Sequence, residues 1–209
     1  PLTVILSNAD MLRTEKNLEG DKNFRRMEHI HGAALRMKEL VEDMLTLARS
    51  DSGERKAINS VVDFSHIVKS TVLVYEPFFY DDRKEFSYQI EDGLFVRGDI
   101  PRLQQVIHIL LDNARKYSSA QGAIHVRLSK AEHKSLLLEV TNQGPPIPKA
   151  ELKQIFLRFY RRDESRSEHG SFGLGLSIAQ SIVSGHKGKI WAESDEISGN
   201  SFSVSLPLV

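Results

Sequence analysis

The sequence predicts an α+β chain: an antiparallel helical hairpin, half of a four-helix bundle, followed by a mixed sheet covered by helices on one face. Three observations predict it. Apolar residues keep a heptad period between Met27 and Ala48. The period stops at "ARSDSGERKAINS", a polar stretch that is placed as a linker at about residues 50–60. Beyond it, short alternating runs joined by hairpin turns are mixed with amphipathic helices, which is the pattern of a layered α+β domain. The expected division is a hairpin over 1–53 and a second domain over 54–209.

The hairpin elements come first. In "PLTVILSNADML", Leu2, Ile5, Leu6, Ala9 and Leu12 recur at helical spacing, and Pro1 suits a first turn. A second helix is predicted from about Asp21, a candidate N-cap, to Ser50. Met27, Ala34, Val41 and Ala48 repeat every seven residues, as do Ile30, Met37 and Met44, offset by three. Leu40 and Leu45 widen this stripe beyond a two-helix seam, which suits a four-helix bundle. "RTEKNLEGDK", with Gly20, is the expected connecting loop. The second helix is about 43 Å long and the first about 18 Å. A mismatch of that size leaves half the seam unpaired, so the first helix is expected to lack its N-terminal part.

After the linker, "VVDFSHIVKSTVLVYEPFF" is predicted as a helix, and "EFSYQI" and "LFVRGD" as short strands. Asp99 is expected to cap a helix through Tyr117. "AIHVRLS" and "SLLLEVTN" alternate and are joined by "KAEHK" as a hairpin. A short helix is expected from about Lys149 to Phe156 and a longer one from about Leu174 to His186. "GKIWAES" and "SFSVSLPL" close the chain as strands.

Composition narrows the classes. Lys+Arg and Asp+Glu are both 28, so the formal net charge is zero and no global basic field points to nucleic acid. The chain has no cysteine, which excludes a disulfide framework and a thiolate zinc site and is consistent with a reducing compartment. The longest apolar runs are far too short to span a bilayer, and no signal peptide is visible.

Four stretches carry residues suited to chemistry. In "LQQVIHILLDNARKYS", Asn113, Lys116 and Tyr117 share one helix face. A neutral oxygen ligand, an ammonium and a phenol there suit Mg²⁺, phosphate and a nucleotide; a solvated face is the alternative. In "EVTNQGPPIP", Asn142 ends a strand and Gly144 permits close backbone approach before a turn stiffened by prolines. "IFLRFYRRDESRSEHG" carries Tyr160, Arg161, Arg162 and Arg166 in a polar, unpatterned run: a basic lid over polyphosphate or a solvated loop. In "HGSFGLGLSIAQSIV", Gly170, Gly173 and Gly175 lead into an amphipathic helix whose first N–H groups favour anions. It is neither a Walker loop nor a dinucleotide fingerprint.

The order and spacing of these four blocks resemble the ATP-binding domain of sensor histidine kinases over about residues 58–209. The preceding hairpin resembles their dimerisation and phosphotransfer domain. The resemblance implies an α/β sandwich that binds ATP and Mg²⁺. It implies Asn113 as the Mg²⁺ ligand, Lys116 and Arg161 as catalytic phosphate contacts, and Tyr117 beside the nucleotide. Asn142 and Gly144 fall where the base edge is read, Tyr160 stands in the lid, and Gly170, Gly173, Leu174 and Gly175 form the phosphate-binding helix start. It further implies a homodimer through the hairpin, a response regulator as partner and no nucleic acid. The chain would be a soluble piece facing the cytoplasm, its parent a bacterial plasma-membrane protein.

Departures from the family pattern stand at three site positions. Ile109 replaces a frequent second Asn, Asn142 replaces the usual Asp, and Phe172 stands where Ser or Thr is common. The family's phosphoacceptor histidine segment directly precedes "PLTVIL", so the histidine is expected to lie outside this chain and self-phosphorylation to be absent. His29 and His31 are expected on a solvated helix flank, not as acceptors. Two rivals differ by residue. Water-activating ATPases of the same superfamily carry a Glu where Ile109 stands, and a non-catalytic module would bind Mg-ATP weakly or not at all.

Overall fold

The computed structural model describes residues 2–14, 22–51, 60–161 and 172–209. They fall into two compact units, Pro1–Arg49 and Ser50–Val209.

The first unit is the helical hairpin, α1 (Leu2–Thr14) and α2 (Lys22–Asp51). Ala9 and Ala34 are the buried ones among its described residues. Small side chains there let helix surfaces come close. His31 Nε2 lies 3.1 Å from Asp10 Oδ1, with the His31 side chain only 16% exposed. The expected solvated flank is therefore wrong for His31, which faces a carboxylate on the other helix; His29 is exposed. Ile30, Met37, Val41, Met44 and Leu45 stay exposed, so one chain does not cover its own heptad stripe. Asp21, Gly20 and most of the linker lie outside the described residues.

The second unit is a mixed five-stranded sheet with helices on one face. Its elements are β1 (Val61–Asp63), α3 (Phe64–Asp81), β2 (Glu85–Ile90), β3 (Phe95–Arg97), α4 (Ile100–Tyr117), β4 (Ala123–Ala131), β5 (Ser135–Asn142), α5 (Gly175–Gly185), β6 (Lys189–Asp195) and β7 (Gly199–Pro207). The sheet order is β2-β4-β5-β7-β6. Only β2 and β4 run parallel; the other neighbours are antiparallel. β1 and β3 form a separate antiparallel pair.

Alternation explains the layers. Leu136, Leu138 and Val140 of β5 point inward beside Ile124, Val126 and Leu128 of β4 and Phe202, Val204 and Leu206 of β7. The intervening residues, such as His125, Arg127, Glu139 and Thr141, form the outer face. α4 supplies the facing stripe of Leu103, Val106, Ile107, Leu110, Leu111 and Ala114, all at most 2% exposed. α3 adds Phe64, Val68, Val72 and Phe79, and α5 adds Ile178, Ala179, Ile182 and Val183.

Helix starts follow local chemistry. Asp99 Oδ1 accepts from Arg102 N–H at 3.0 Å and caps α4, as the sequence predicts. Asp63 Oδ1 accepts from His66 N–H at 3.0 Å and caps α3. The helix expected from Val61 therefore begins only at Phe64; Val61–Asp63 pair with Arg97–Phe95 instead. The short helix expected over 149–156 is also absent. That stretch is a run of turns ending in one 3₁₀ turn, Gln154–Phe156, because so few residues cannot repay helix nucleation.

Candidate active site

α4 carries the first group of site residues. Asn113 and Lys116 are half-buried and Tyr117 is exposed, on the face turned away from the apolar stripe. Lys116 Nζ is 2.6 Å from Asp112 Oδ2, one helical turn back. Sequence reasoning did not single out Asp112, although the i,i+4 spacing marks it. Arg115 leaves this face and forks onto Asp82 (Nε–Oδ2 2.5 Å, Nη2–Oδ1 3.2 Å), with its guanidinium over the Phe78 ring. Those bonds to Arg115 hold the Asp82 carboxyl below the usual range.

The C-terminal end of α4 meets the turn after β5. A Cβ on Gly144 would stand 2.2 Å from the Tyr117 carbonyl oxygen, so only glycine fits. Gln143 ties the same turn to the far side: its carbonyl accepts from Ser119 N–H at 2.7 Å and its N–H donates to Ala123 O at 2.9 Å. Asn142, at the last position of β5, is 2% exposed. Its Nδ2 is buried without a hydrogen-bond partner among the described residues. A buried amide donor left open is costly. It is the kind of group a ligand satisfies.

The middle of α4 meets the start of α5. Ile109 Cγ2 lies 3.4 Å from where a Cβ on Gly175 would stand. Ile109 thus makes an apolar contact with the glycine-rich helix start, at the position where the family pattern often has a second Asn. Leu174 is 1% exposed, so its side chain belongs to the core. Among the described residues no side chain caps α5, in contrast to α3 and α4. The first N–H groups of a helix suit an anion.

The stem of the expected lid is closed by backbone. Phe159 N–H donates to Gly173 O at 3.0 Å. Gly173 has φ +71°, and a Cβ there would stand 2.6 Å from the Tyr160 carbonyl oxygen. Tyr160 and Arg161 are half-buried at this stem. Gly170, Arg162 and Arg166 lie outside the described residues. Asn113, Gly144, the Tyr160–Arg161 stem and Gly173–Gly175 are thus linked through contacts to α4 or to one another.

Two further polar residues escaped the sequence reading. Asn200 on β7 and Ser194 on β6 lie beside Asn142 in one cross-strand row. Asn200 is in phase with Phe202, Val204 and Leu206. That period-two alternation along the strand is the local signal that marks it as inward-facing and polar.

Comparison with known proteins assigns the family. Residues 98–209 match the family described as histidine kinase-, DNA gyrase B-, and HSP90-like ATPase. Residues 1–53 match the His Kinase A (phospho-acceptor) domain. This chain belongs to the sensor histidine kinases. Among relatives of this kinase chain, sensor protein DltS of Streptococcus agalactiae is 33% identical over 210 residues, covering all of the chain and 51% of the relative. The chain therefore spans about half the length of that relative. The mycobacterial sensor histidine kinase MprB aligns with a TM-score of 0.63 at 27% identity, over 72% of this chain and 97% of that one. Histidine kinase ThkA, solved in complex with response regulator protein TrrA, aligns with a TM-score of 0.70 over all of this chain and 58% of that one. Its 24% identity speaks for the fold. No described helix of this kinase chain is long and apolar enough to cross a membrane.

Proposed function

We propose that this chain binds Mg-ATP and is the catalytic part of a kinase that moves the γ-phosphoryl group to a histidine, from which it passes to an aspartate of a response regulator. Residues 1–53 are the dimerisation and phosphotransfer hairpin, and 54–209 the ATP-binding domain. In the first transfer the bond from γ-phosphorus to the bridging oxygen breaks, a P–N bond forms, and ADP leaves with the bridging oxygen.

The observation that carries the reading is the junction of Gly144 with Tyr117 beside the open Nδ2 of Asn142. A buried donor without a partner among the described residues, beside a turn packed closely on the end of α4, fits a nucleobase edge. Lys116 and Arg161 neutralise phosphate charge, which is most of what phosphoryl transfer asks of a protein. The N–H groups of Gly173, Leu174 and Gly175, with Gly170, hold phosphate oxygens. Tyr117 and Tyr160 border the nucleotide. Among the described residues no cluster of three His, Cys, Asp or Glu is available for a metal. That suits Mg²⁺, which takes few protein ligands and shares phosphate oxygens. Asn113 is the ligand from this chain. Bound Mg²⁺ supplies charge neutralisation on the phosphates.

The hairpin pairs with a second copy through the exposed Ile30, Met37, Val41, Met44 and Leu45. The intact parent is a bacterial membrane protein with this part in the cytoplasm. The test is calorimetry of Asn113→Ala. Mg-ATP affinity should fall at least tenfold while metal-free ATP affinity holds within about twofold. Equal Mg-ATP affinity in the variant would refute the assignment.

A further inference from the structure

The turn after β5 is held from below by a relay of side-chain hydrogen bonds outside the predicted site. Ile147 N–H donates to Ser194 Oγ at 2.8 Å. Ser194 O–H donates to Asn200 Oδ1 at 2.7 Å. Asn200 Nδ2 donates to the Pro145 carbonyl at 3.2 Å. Each side chain is used in both senses, so the direction of every bond is fixed. The Ser194 hydroxyl has one proton, given to Asn200, and accepts from Ile147. Asn200 accepts on oxygen, which leaves its NH₂ to reach Pro145.

The relay bears on both ends of the Pro145–Ile147 segment, one residue beyond Gly144. The turn joining β6 to β7 is itself fixed: Asp195 Oδ1 accepts from Ile197 N–H at 2.7 Å and from Ser198 N–H at 2.5 Å. These bonds hold the Asp195 carboxyl below the usual range, so the turn keeps its acceptor charged near neutrality. Asn200 is 3% exposed, and a broken relay there leaves buried polar groups unpaired.

We propose that Ser194 and Asn200 are positioning residues of the nucleotide site, setting base affinity by fixing the Gly144–Ile147 turn against Tyr117. The inference rests on the reading of that turn as the base-side wall. Neither residue touches nucleotide; both act through the turn.

The discriminating variant is Asn200→Asp. It keeps shape and still accepts from Ser194, but it cannot donate to Pro145 and sets a carboxylate against that carbonyl. Ser194→Ala removes the relay's centre, and Ser194→Thr keeps its hydroxyl. In the full chain, Mg-ATP affinity should fall about tenfold in Asn200→Asp and in Ser194→Ala. Ser194→Thr should stay within twofold of the parent. Mg-tripolyphosphate, which has no base, should bind equally well to all four proteins. Without any nucleotide, exchange of the Ile147 amide should quicken at least tenfold in Ser194→Ala, with exchange of the β5 amides unchanged. Folded Asn200→Asp and Ser194→Ala that bind Mg-ATP like the parent overturn the inference alone. Equal loss of tripolyphosphate affinity also overturns it, because the effect is then general. A parent chain that binds no Mg-ATP overturns the functional reading and this inference with it.

Discussion

His186 bridges the start of α4 and the end of α5: Asp99 N–H donates to its Nε2 at 3.1 Å, while its Nδ1–H donates to Ile182 O at 2.7 Å. Both ring nitrogens are committed, one as donor and one as acceptor. That arrangement exists only for the neutral ring. Burial pushes the His186 pKa below the ordinary histidine value; the bond to Ile182 and the Asp99 charge pull it up, and Arg102 pushes it down again.

The first prediction follows from the sign of that shift. The folded ring binds a proton less readily than the unfolded one. Stability from His186 is therefore fully present above the unfolded pKa of about 6.5 and is lost as pH falls toward the folded value. Urea unfolding midpoints should drop between pH 7.5 and 5. His186→Gln supplies an acceptor and a donor without a titrating ring. It should show a smaller drop, the remainder including His108, which burial also shifts down. An identical pH dependence in parent and variant would count against the bridge.

A second prediction concerns Gly144. Its missing Cβ makes room for the Tyr117 carbonyl. Gly144→Ala should cost about 1–3 kcal/mol, the usual penalty for forcing an atom into packed space. It should also weaken Mg-ATP binding, because the turn must shift. Denaturant titration and calorimetry on one preparation check both. A variant as stable as the parent would show that the turn moves freely.

Asn142 gives a third. Adenine offers an amino donor beside a ring acceptor; guanine offers the reverse. An amide can meet either by turning, whereas a carboxylate only accepts and repels the guanine oxygen. Asn142→Asp should raise the ATP-over-GTP preference about tenfold, within the 1–3 kcal/mol of one mispaired buried group. Most of the change should be weaker GTP binding in a competition assay. An unchanged preference would remove Asn142 from base reading.

The hairpin supplies a fourth. An exposed stripe of Ile30, Met37, Val41, Met44 and Leu45 is unfavourable in water and drives association. Sedimentation should detect a concentration-dependent monomer–dimer equilibrium. Met37→Lys with Val41→Glu should weaken it at least tenfold, since burial of each apolar side chain contributes about 1.5–3 kcal/mol. Association that survives the double change would place the contact elsewhere.

These predictions lean on features that were unequally visible in the sequence. α4 could be read from Asp99 to Tyr117 because a capping carboxylate, a 3.6-residue stripe and the polar face of Asn113, Lys116 and Tyr117 all lie within one helix. β5 could be read because its strict alternation has period two. β1 could not: Val61 pairs with Arg97, and nothing local announces a partner so far along the chain. Asp63 did carry a capping signal, overlooked because the apolar run began two residues earlier. The approach of Gly144 to Tyr117 depends on where the end of α4 meets the turn after β5, and the reach of Asn200 to Pro145 on β7 lying beside β5, neither of which a local pattern encodes.

That strand order has a consequence for how the domain is made. β7 follows all the other described strands in chain order, yet it lies between β5 and β6 and pairs with both. A chain emerging from the ribosome can form α3, α4 and the β4–β5 hairpin early. It has no partner for the free edge of β5 until Gly199–Pro207 has cleared the tunnel. Until then the inner residues Leu136, Leu138 and Val140 lack their neighbours Leu206, Val204 and Phe202. Such an exposed edge invites mispairing with other chains. The sheet therefore closes in one late step, when a single strand fills the gap between β5 and β6 and completes both of its ladders together.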